Sequence, residues 1–316
     1  MMSLQRKRQS CWVGYDVRTF EELSGDVMRR LQIRHVTHYE YSNSIELLPH
    51  KLLLRPREGH DIRIVSSQLE ISPAHQVKWH RDVNDNCVAV VNFLESTDRL
   101  SFLSEVVLEH YDEMPLDFII EPRAANFPFH YDATEGADLI PYQMSIFPED
   151  TKTLRDWVSR FWRPGQTLET YGLLDNLNKG IAEAIAYQMR EEPGVQSPAE
   201  TLARKIGSCR DMATLFCEAC RQVGLAARFV SGYLHAPRSE KDHGATHAWS
   251  EIYLPGAGWK GFDSTSGEIV GSQHIVVAVS RHPEAVPPIA GAFLGRIDRA
   301  AVMRVEVEVA ETDSAH

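Results

Sequence analysis

The run GSCRDMATLFCEACRQVG, from Gly207 to Gly224, holds three of the chain's five cysteines, and one of them stands where a helix should begin. Gly207-Ser208 ahead of an apolar-periodic run is a helix-start signal, and Ser208 with Asp211 three residues on has the form of a capping box. With Ser208 as N-cap, Cys209 is the first helical residue. Its sulfur then lies among backbone N–H groups that lack intrahelical partners, at the positive end of the helix dipole. That setting favours the anion, since thiols at helix N-termini ionise well below about 8.5. Position alone still leaves Cys209 open between a reactive thiol and an ordinary cysteine near a helix start.

The other two cysteines of the run call for less. Met212, Phe216, Ala219 and Val223 form one stripe of the helix, and Gly224 supplies its stop. Cys217 and Cys220 fall inside it as small apolar fillers. Their Cys-x-x-Cys spacing matches a redox or half-zinc pattern, but a redox pair belongs at a helix start and no second pair completes a zinc site. Cys220 is eleven residues beyond Cys209, about 16 Å along the axis, too far to act as a resolving thiol.

A cysteine nucleophile needs a histidine within reach and a third group to orient that histidine. Fourteen histidines compete. His35, His38, His50, His75, His80 and His110 fall among strands, where surface or packing roles are expected, and His35 and His38 point to opposite or nearly opposite strand faces. His247 opens the strand HAWSEIYL, and the turn PGAG leads from it into GWKGFDST. His247, Trp249, Glu251 and Tyr253 share one face, as do Trp259, Gly261 and Asp263 on the next strand. A connection of three or five residues pairs Trp249 with Asp263 and sets His247 diagonal to that carboxylate, whereas an even one separates them. The catalytic reading therefore expects an odd loop with a bulge at Gly256 or Gly258. Singly, His247 reads as a strand-end polar residue and Asp263 as a turn-initiating aspartate. Together with Cys209 around one helix and one hairpin they compose a Cys, His, Asp set, in which Asp263 would fix the imidazole while His247 takes the thiol proton.

The elements that must position these residues come in two styles. From Leu31, short alternating segments (LQIRHVTHYEYS, HKLLLRPRE, DIRIVSSQLEIS, QVKWHRD, CVAVVNFLE, LSFLSEVVLEHY) read as an antiparallel β-sandwich over 31–112, with a hairpin turn at Asn84-Asp85-Asn86. Residues 113–150 carry five prolines that interrupt any helix or central strand, so they read as a connector over the surface. Helical spacing begins after Thr151, and a second helix is expected from about Leu168 to Tyr187. Strands return at ARFVSGYL, HAWSEIYL, GWKGFDST and HIVVAVS, with RVEVEVA as a possible further edge strand. The division expected is an extension over 1–30, the sandwich over 31–112, the connector over 113–150 and a catalytic core over 151–316. The fold class is α+β.

A chain of 316 residues with 43% hydrophobic and 24% charged residues is an ordinary globular protein. A formal net charge of -11 leaves no basic surplus for phosphates, so nucleic acid and anionic membrane surfaces are excluded as partners. No apolar run reaches the roughly 18 residues of a membrane span, and no signal-type apolar segment follows Arg6-Lys7-Arg8. An odd, scattered set of cysteines argues against a disulfide framework and for a reducing, cytoplasmic setting. Residues 1–27 show little periodicity, and the loop 235–246, HAPRSEKDHGAT, reads as a polar, exposed lid beside the site.

The segments GSCRDMATLFCEACRQVGLAARFVSGYL, HAWSEIYLPGAGWKGFDSTSG and HIVVAVSRHPEAVPPIAGAF resemble the core of the bacterial transglutaminase-like proteins, within the papain-like cysteine hydrolase superfamily. HVTHYEYSNSIELLPHKLLLRPRE resembles the β-rich N-terminal domain that accompanies that core. The resemblance implies a papain-like or transglutaminase-like core after the sandwich, a Cys209–His247–Asp263 triad, and acyl transfer at an amide carbonyl through a thioester. It also implies the Cys209 N–H as one oxyanion donor and Tyr187 as an auxiliary one, unless Tyr187 only ends its helix against the core. Similar proteins read Asp-Pro-Thr-Asn where this chain has Asp263-Ser264-Thr265-Ser266, and Gly-Arg-Asp-Tyr where it has Ser280-Arg281-His282-Pro283. The first change removes the residues expected to stiffen the turn after Asp263. His274 matches a family position, with no role assigned beyond the rim of the cleft.

The expected activity is cofactor-free and metal-free hydrolysis of a peptide or protein amide. Transamidation of protein glutamine is the first alternative, and a partner-binding scaffold with a silent cleft is the second. Substrate identity and oligomeric state leave no mark in the sequence.

Overall fold

The alternating segments from residue 28 onward build two antiparallel sheets. The computed structural model describes residues 28–111, 116, 118–190, 192–235 and 245–312. Most of the expected extension (1–27 of 1–30) and most of the expected lid (236–244) lie outside the described residues, while 28–30 begin the first strand. Six strands come first: β1 (Met28–Leu47), β2 (His50–Leu52), β3 (Ile62–Ser72), β4 (His75–Arg81), β5 (Cys87–Phe93) and β6 (Thr97–Tyr111). β1 and β3 flank β6, while β2 and β4 flank β5. Ile45 and Leu47 of β1 and Leu100 and Phe102 of β6 meet Leu52, Ala89 and Val91 of the facing sheet in a buried cluster. Each such leucine or phenylalanine contributes about 1.5–3 kcal/mol by leaving water. Asp85 takes the left-handed conformation in the β4–β5 turn (φ 61), as its side chain allows.

The connector departs from expectation. After β7 (Asn126–Phe127), α1 (Ala133–Gln143) is a helix despite Pro141 inside it. Three contacts explain it. Asp132 Oδ1 caps the start, accepting from the N–H groups of Thr134 (2.8 Å) and Glu135 (3.0 Å). Leu139 is buried. Tyr142 at the far end donates its hydroxyl to Asn84 Oδ1 at 2.9 Å and accepts from Arg221 Nε at 3.0 Å. Pro141 falls in the last turn, so the one i→i−4 bond it removes leaves the earlier turns intact.

The remaining elements run α2 (Thr151–Val158), β8 (Leu168–Glu169), α3 (Thr170–Ala184), β9 (Ala186–Tyr187), α4 (Pro198–Arg204), β10 (Ile206–Gly207) and α5 (Cys209–Gln222). The sheet strands β11 (Ala227–Leu234), β12 (Ala245–Leu254), β13 (Gly258–Asp263), β14 (Glu268–Ile269) and β15 (His274–Ser280) follow. The sheet order is β14-β13-β12-β11-β15, and α5 packs across β11 and β12. α5 is buried on every side from Asp211 to Arg221, not along one stripe, because α2, α3 and α4 cover it opposite the sheet. Two of its buried charges satisfy each other: Arg221 Nη1 donates to Glu218 at 2.6 Å and Nη2 donates to the carbonyls of Ala227 and Arg281 at 2.8 Å each.

The last strands return to the sandwich. β16 (Ile289–Ala290) pairs with β2, while β17 (Phe293–Leu294) and β18 (Val302–Glu311) pair with β1. The segment 289–311, expected within the C-terminal core, thus adds strands to the N-terminal sheets. One hydrophobic cluster also runs from Leu31, Ile33 and Leu108 of the sandwich to Leu177, Phe216 and Ile275 of the core. Polar contacts cross the same seam. Asn86, fully buried, acts as a strand partner for Val279, donating to its carbonyl and accepting from its N–H at 2.8 Å each.

Candidate active site

Cys209 begins α5 because the residues before it hold that start rigid. Asp211 Oδ2 accepts from the Ser208 amide (2.8 Å) and hydroxyl (2.7 Å), while Oδ1 accepts from Arg190 Nη1 (2.7 Å) and the Gln196 amide (2.8 Å). Burial alone would raise the Asp211 pKa, but these four bonds hold it below the ordinary value. Arg210 adds to that hold, donating Nη2 to the carbonyls of Arg190 (3.2 Å) and Glu192. Cys209 is partly exposed, unlike Cys217 and Cys220. Burial pushes the Cys217 thiol up to about 11 and raises that of Cys220 as well. Cys217 further donates to Ser250 Oγ at 3.3 Å, so both fillers are inert at neutral pH.

The hairpin that carries His247 and Asp263 has the odd connection. Leu254 pairs with Gly258 across Pro255, Gly256 and Ala257, and the register runs back to Ser250 opposite Phe262. One step further brings Asp263 opposite Trp249 and diagonal to His247. Gly256 (φ +87) and Gly258 (φ +72) take the backbone angles that such a tight connection requires.

His247 Nε2 and Asp263 Oδ2 lie 2.8 Å apart, with the two side chains only 8% and 4% exposed. Burial by itself would lower the His247 pKa. Hydrogen bonds to Asp263 and to the Cys209 side chain, with the charges of both, outweigh it and push the ring up to about 10. Because Nε2 is engaged by Asp263, Nδ1 is the nitrogen left for the sulfur. Burial would also raise the Asp263 pKa, but the hydrogen bonds and charges of His247 and His274 drive it well below the carboxylate range. The arrangement holds a proton on an imidazole between a carboxylate and a thiol.

Two residues hold Asp263 that sequence reasoning had not assigned. His274 Nε2 reaches the same Oδ2 at 3.3 Å. Asn178 of α3, 1% exposed, donates Nδ2 to the carbonyls of Asp263 (3.3 Å) and Glu268 (3.0 Å) and accepts from Ser264 Oγ at 2.8 Å. Asp263 Oδ1 also accepts from the Thr265 amide at 2.9 Å. These bonds stiffen the turn that lacks the expected proline and asparagine. The only hint in the sequence was an asparagine within a helix of apolar periodicity.

Tyr187 is not at a helix end. α3 stops at Ala184, and Tyr187 lies in β9, paired in parallel with β10 so that it stands beside Gly207. The Gln188 amide donates to the Gly207 carbonyl at 2.9 Å. The tyrosine is 54% exposed, so the alternative of a residue packed against the core does not describe it. The sheet edge therefore brings Tyr187 to the segment that leads into Cys209.

As for metals, the ligand atoms of His247, Asp263 and His274 lie within 4.8 Å of one another. Among the described residues no helix is long and apolar enough to cross a membrane.

Comparison with known proteins agrees with this geometry. Residues 31–109 match the bacterial transglutaminase-like N-terminal region, and residues 164–264 match the transglutaminase-like superfamily. The second match contains Tyr187, Cys209, His247 and Asp263. An uncharacterised protein of Mycobacterium tuberculosis is 27% identical over 306 residues, covering 91% of this chain and 95% of the relative. One from Mycobacterium leprae is 35% identical over 94 residues, 28% of this chain and 33% of that protein. A solved structure of a candidate cysteine protease from Cytophaga hutchinsonii shares the fold with a TM-score of 0.70 at 18% identity, covering 92% of each chain.

Proposed function

From a chain that belongs to the transglutaminase-like superfamily, we propose that Cys209, His247 and Asp263 form a catalytic triad for acyl transfer at an amide carbonyl. The observation that carries this reading is the Asp263–His247 bond of 2.8 Å together with the interaction of the same imidazole with the Cys209 sulfur. His247, hydrogen-bonded to the Cys209 side chain, takes the thiol proton. The sulfur attacks the carbonyl carbon, and the C=O electron pair moves onto oxygen. The Cys209 N–H donates to that oxyanion, with the Tyr187 hydroxyl as the proposed second donor. Collapse re-forms the carbonyl and breaks the C–N bond, and the His247 proton goes to the leaving amine. Water then attacks the thioester while His247 takes its proton, and the sulfur leaves as thiolate with a carboxylic acid released.

Hydrolysis is the favoured outcome because no dedicated amine site is apparent and water is always present. The proposed substrate is a peptide or protein amide, and a reducing compartment such as the cytoplasm would suit an exposed thiolate. The test has two arms. Iodoacetamide near pH 6 should alkylate Cys209 much faster than the partly exposed Cys87, and equal rates would favour a partner-binding scaffold. A glutamine-containing peptide incubated with a labelled amine should yield free acid and ammonia. Labelled peptide would instead establish transamidation.

A further inference from the structure

Asp263 Oδ2 receives two imidazoles, and the triad accounts for one. The second, His274, comes from β15, two strands away from His247 across β11. Its ring is 9% exposed and fixed at both nitrogens. The Gly271 amide donates to Nδ1 at 3.4 Å, and the His274 amide donates to the Gly271 carbonyl at 2.9 Å. A ring nitrogen that receives an N–H carries the lone pair, so the ring proton resides on Nε2, which faces Asp263 at 3.3 Å. The same detail decides against a divalent ion in the His247–Asp263–His274 cluster. A metal-bound histidine normally donates its other N–H to an acceptor, whereas here that nitrogen is itself met by a donor. Trp249, fully buried, packs edge-on against His274 with ring centroids 5.1 Å apart and lies 6.2 Å from His247, so it backs both rings, which are 5.9 Å from each other.

We propose that His274 is a positioning residue: an Nε2–H donor that shares Asp263 Oδ2 with His247 and keeps that carboxylate ionised and aimed at the His247 ring. This rests on the reading of Cys209, His247 and Asp263 as the reacting set. A carboxylate with a single imidazole partner can rotate about its Cβ–Cγ bond, and Thr265 N–H on Oδ1 constrains only one oxygen. A second donor on Oδ2 fixes the other oxygen, so the His247 ring meets the sulfur in one orientation.

The test compares the wild type with His274→Leu, which cannot donate, and His274→Gln, whose amide N–H can. The rate of Cys209 alkylation by iodoacetamide at pH 6 should fall about tenfold in His274→Leu, the scale on which such supporting partners act. It should recover most of that loss in His274→Gln, with far-UV circular dichroism unchanged in both. A His274→Leu protein that folds and reacts like the wild type would overturn the proposal, as would equal losses in Leu and Gln. A second readout does not depend on reactivity. Imidazole ¹⁵N spectra of the intact protein at pH 8 should show His274 protonated on Nε2 alone, and an Nδ1–H ring would overturn the proposal. Slow alkylation of the wild type would defeat the triad reading, and the spectra would still decide the role of His274.

Discussion

At Asp263 three N–H groups converge on one carboxylate, from His247, His274 and Thr265. A buried carboxylate with three donors stays ionised, and against the effect of burial its hydrogen bond and charge, together with those of Cys209, sustain a proton on His247 up to about 10. The His247 imidazolium should therefore persist far into alkaline pH. Asp263→Asn keeps the size and one acceptor but removes the charge, so the His247 pKa must fall. The alkaline limb of turnover, in which His247 must give its proton to the leaving amine, is expected near pH 10 in the wild type and should move down by at least about one unit, since loss of a close opposite charge shifts a pKa by 1–3. A pH–rate profile of the two proteins checks it, and an unmoved limb would detach Asp263 from the chemistry. Cys209, His247 and Asp263 were legible in the sequence because each sits beside a local signal: a capping box, a strand start and a turn. His274 was singled out without a role and Asn178 not at all, since nothing local marks their contacts with the Asp263 turn.

Among the elements, the β12–β13 hairpin and β11 decide whether those residues meet. The odd connection was derivable, because strand alternation turns loop length into a choice of face. The neighbouring strand was not. Gly232 on β11 pairs with His247, and a Cβ there would lie 2.3 Å from the Ile275 carbonyl oxygen and 2.6 Å from Trp249 Cη2. The missing side chain is the space that the Trp249 ring occupies where it packs against both imidazoles. Gly232→Ala should cost about 1–3 kcal/mol through overpacking and slow Cys209 alkylation by displacing Trp249 and both rings. Urea unfolding and the alkylation rate measure the two effects, and an unchanged midpoint would mean that β15 yields without strain. Pattern also failed over 113–150. Proline frequency argued against any helix there, whereas Asp132 as cap, the burial of Leu139 and the tethers on Tyr142 outweigh one proline in a last turn. Propensity lost to tertiary contacts that only the folded chain supplies.

Across the whole molecule the sandwich and the core share a continuous apolar interior, and the C-terminal strand β18 returns to β1 along ten residue pairs. Alternation in RVEVEVA made that strand legible but said nothing of its partner, because pairing over such a distance leaves no local trace. Pairing of the first and last described strands in this way favours unfolding as one unit. At the seam His35 of β1, 2% exposed, shares hydrogen bonds with the Tyr233 hydroxyl of β11 (3.0 Å) and Thr37 Oγ1 (3.1 Å). Burial lowers its pKa from 6.5 to about 4. Between those values the unfolded chain binds more protons than the folded one, so stability rises with pH. The stabilisation present above pH 6.5 is lost progressively as pH falls toward about 4. On that linkage the wild type should lose about 2 kcal/mol from this group between pH 7 and pH 5. His35→Gln keeps a hydrogen-bonding side chain that does not titrate, so its urea midpoint should fall less over the same interval. Parallel pH dependence in the two proteins would show that the seam opens to water, or that its proton balance is governed by other groups.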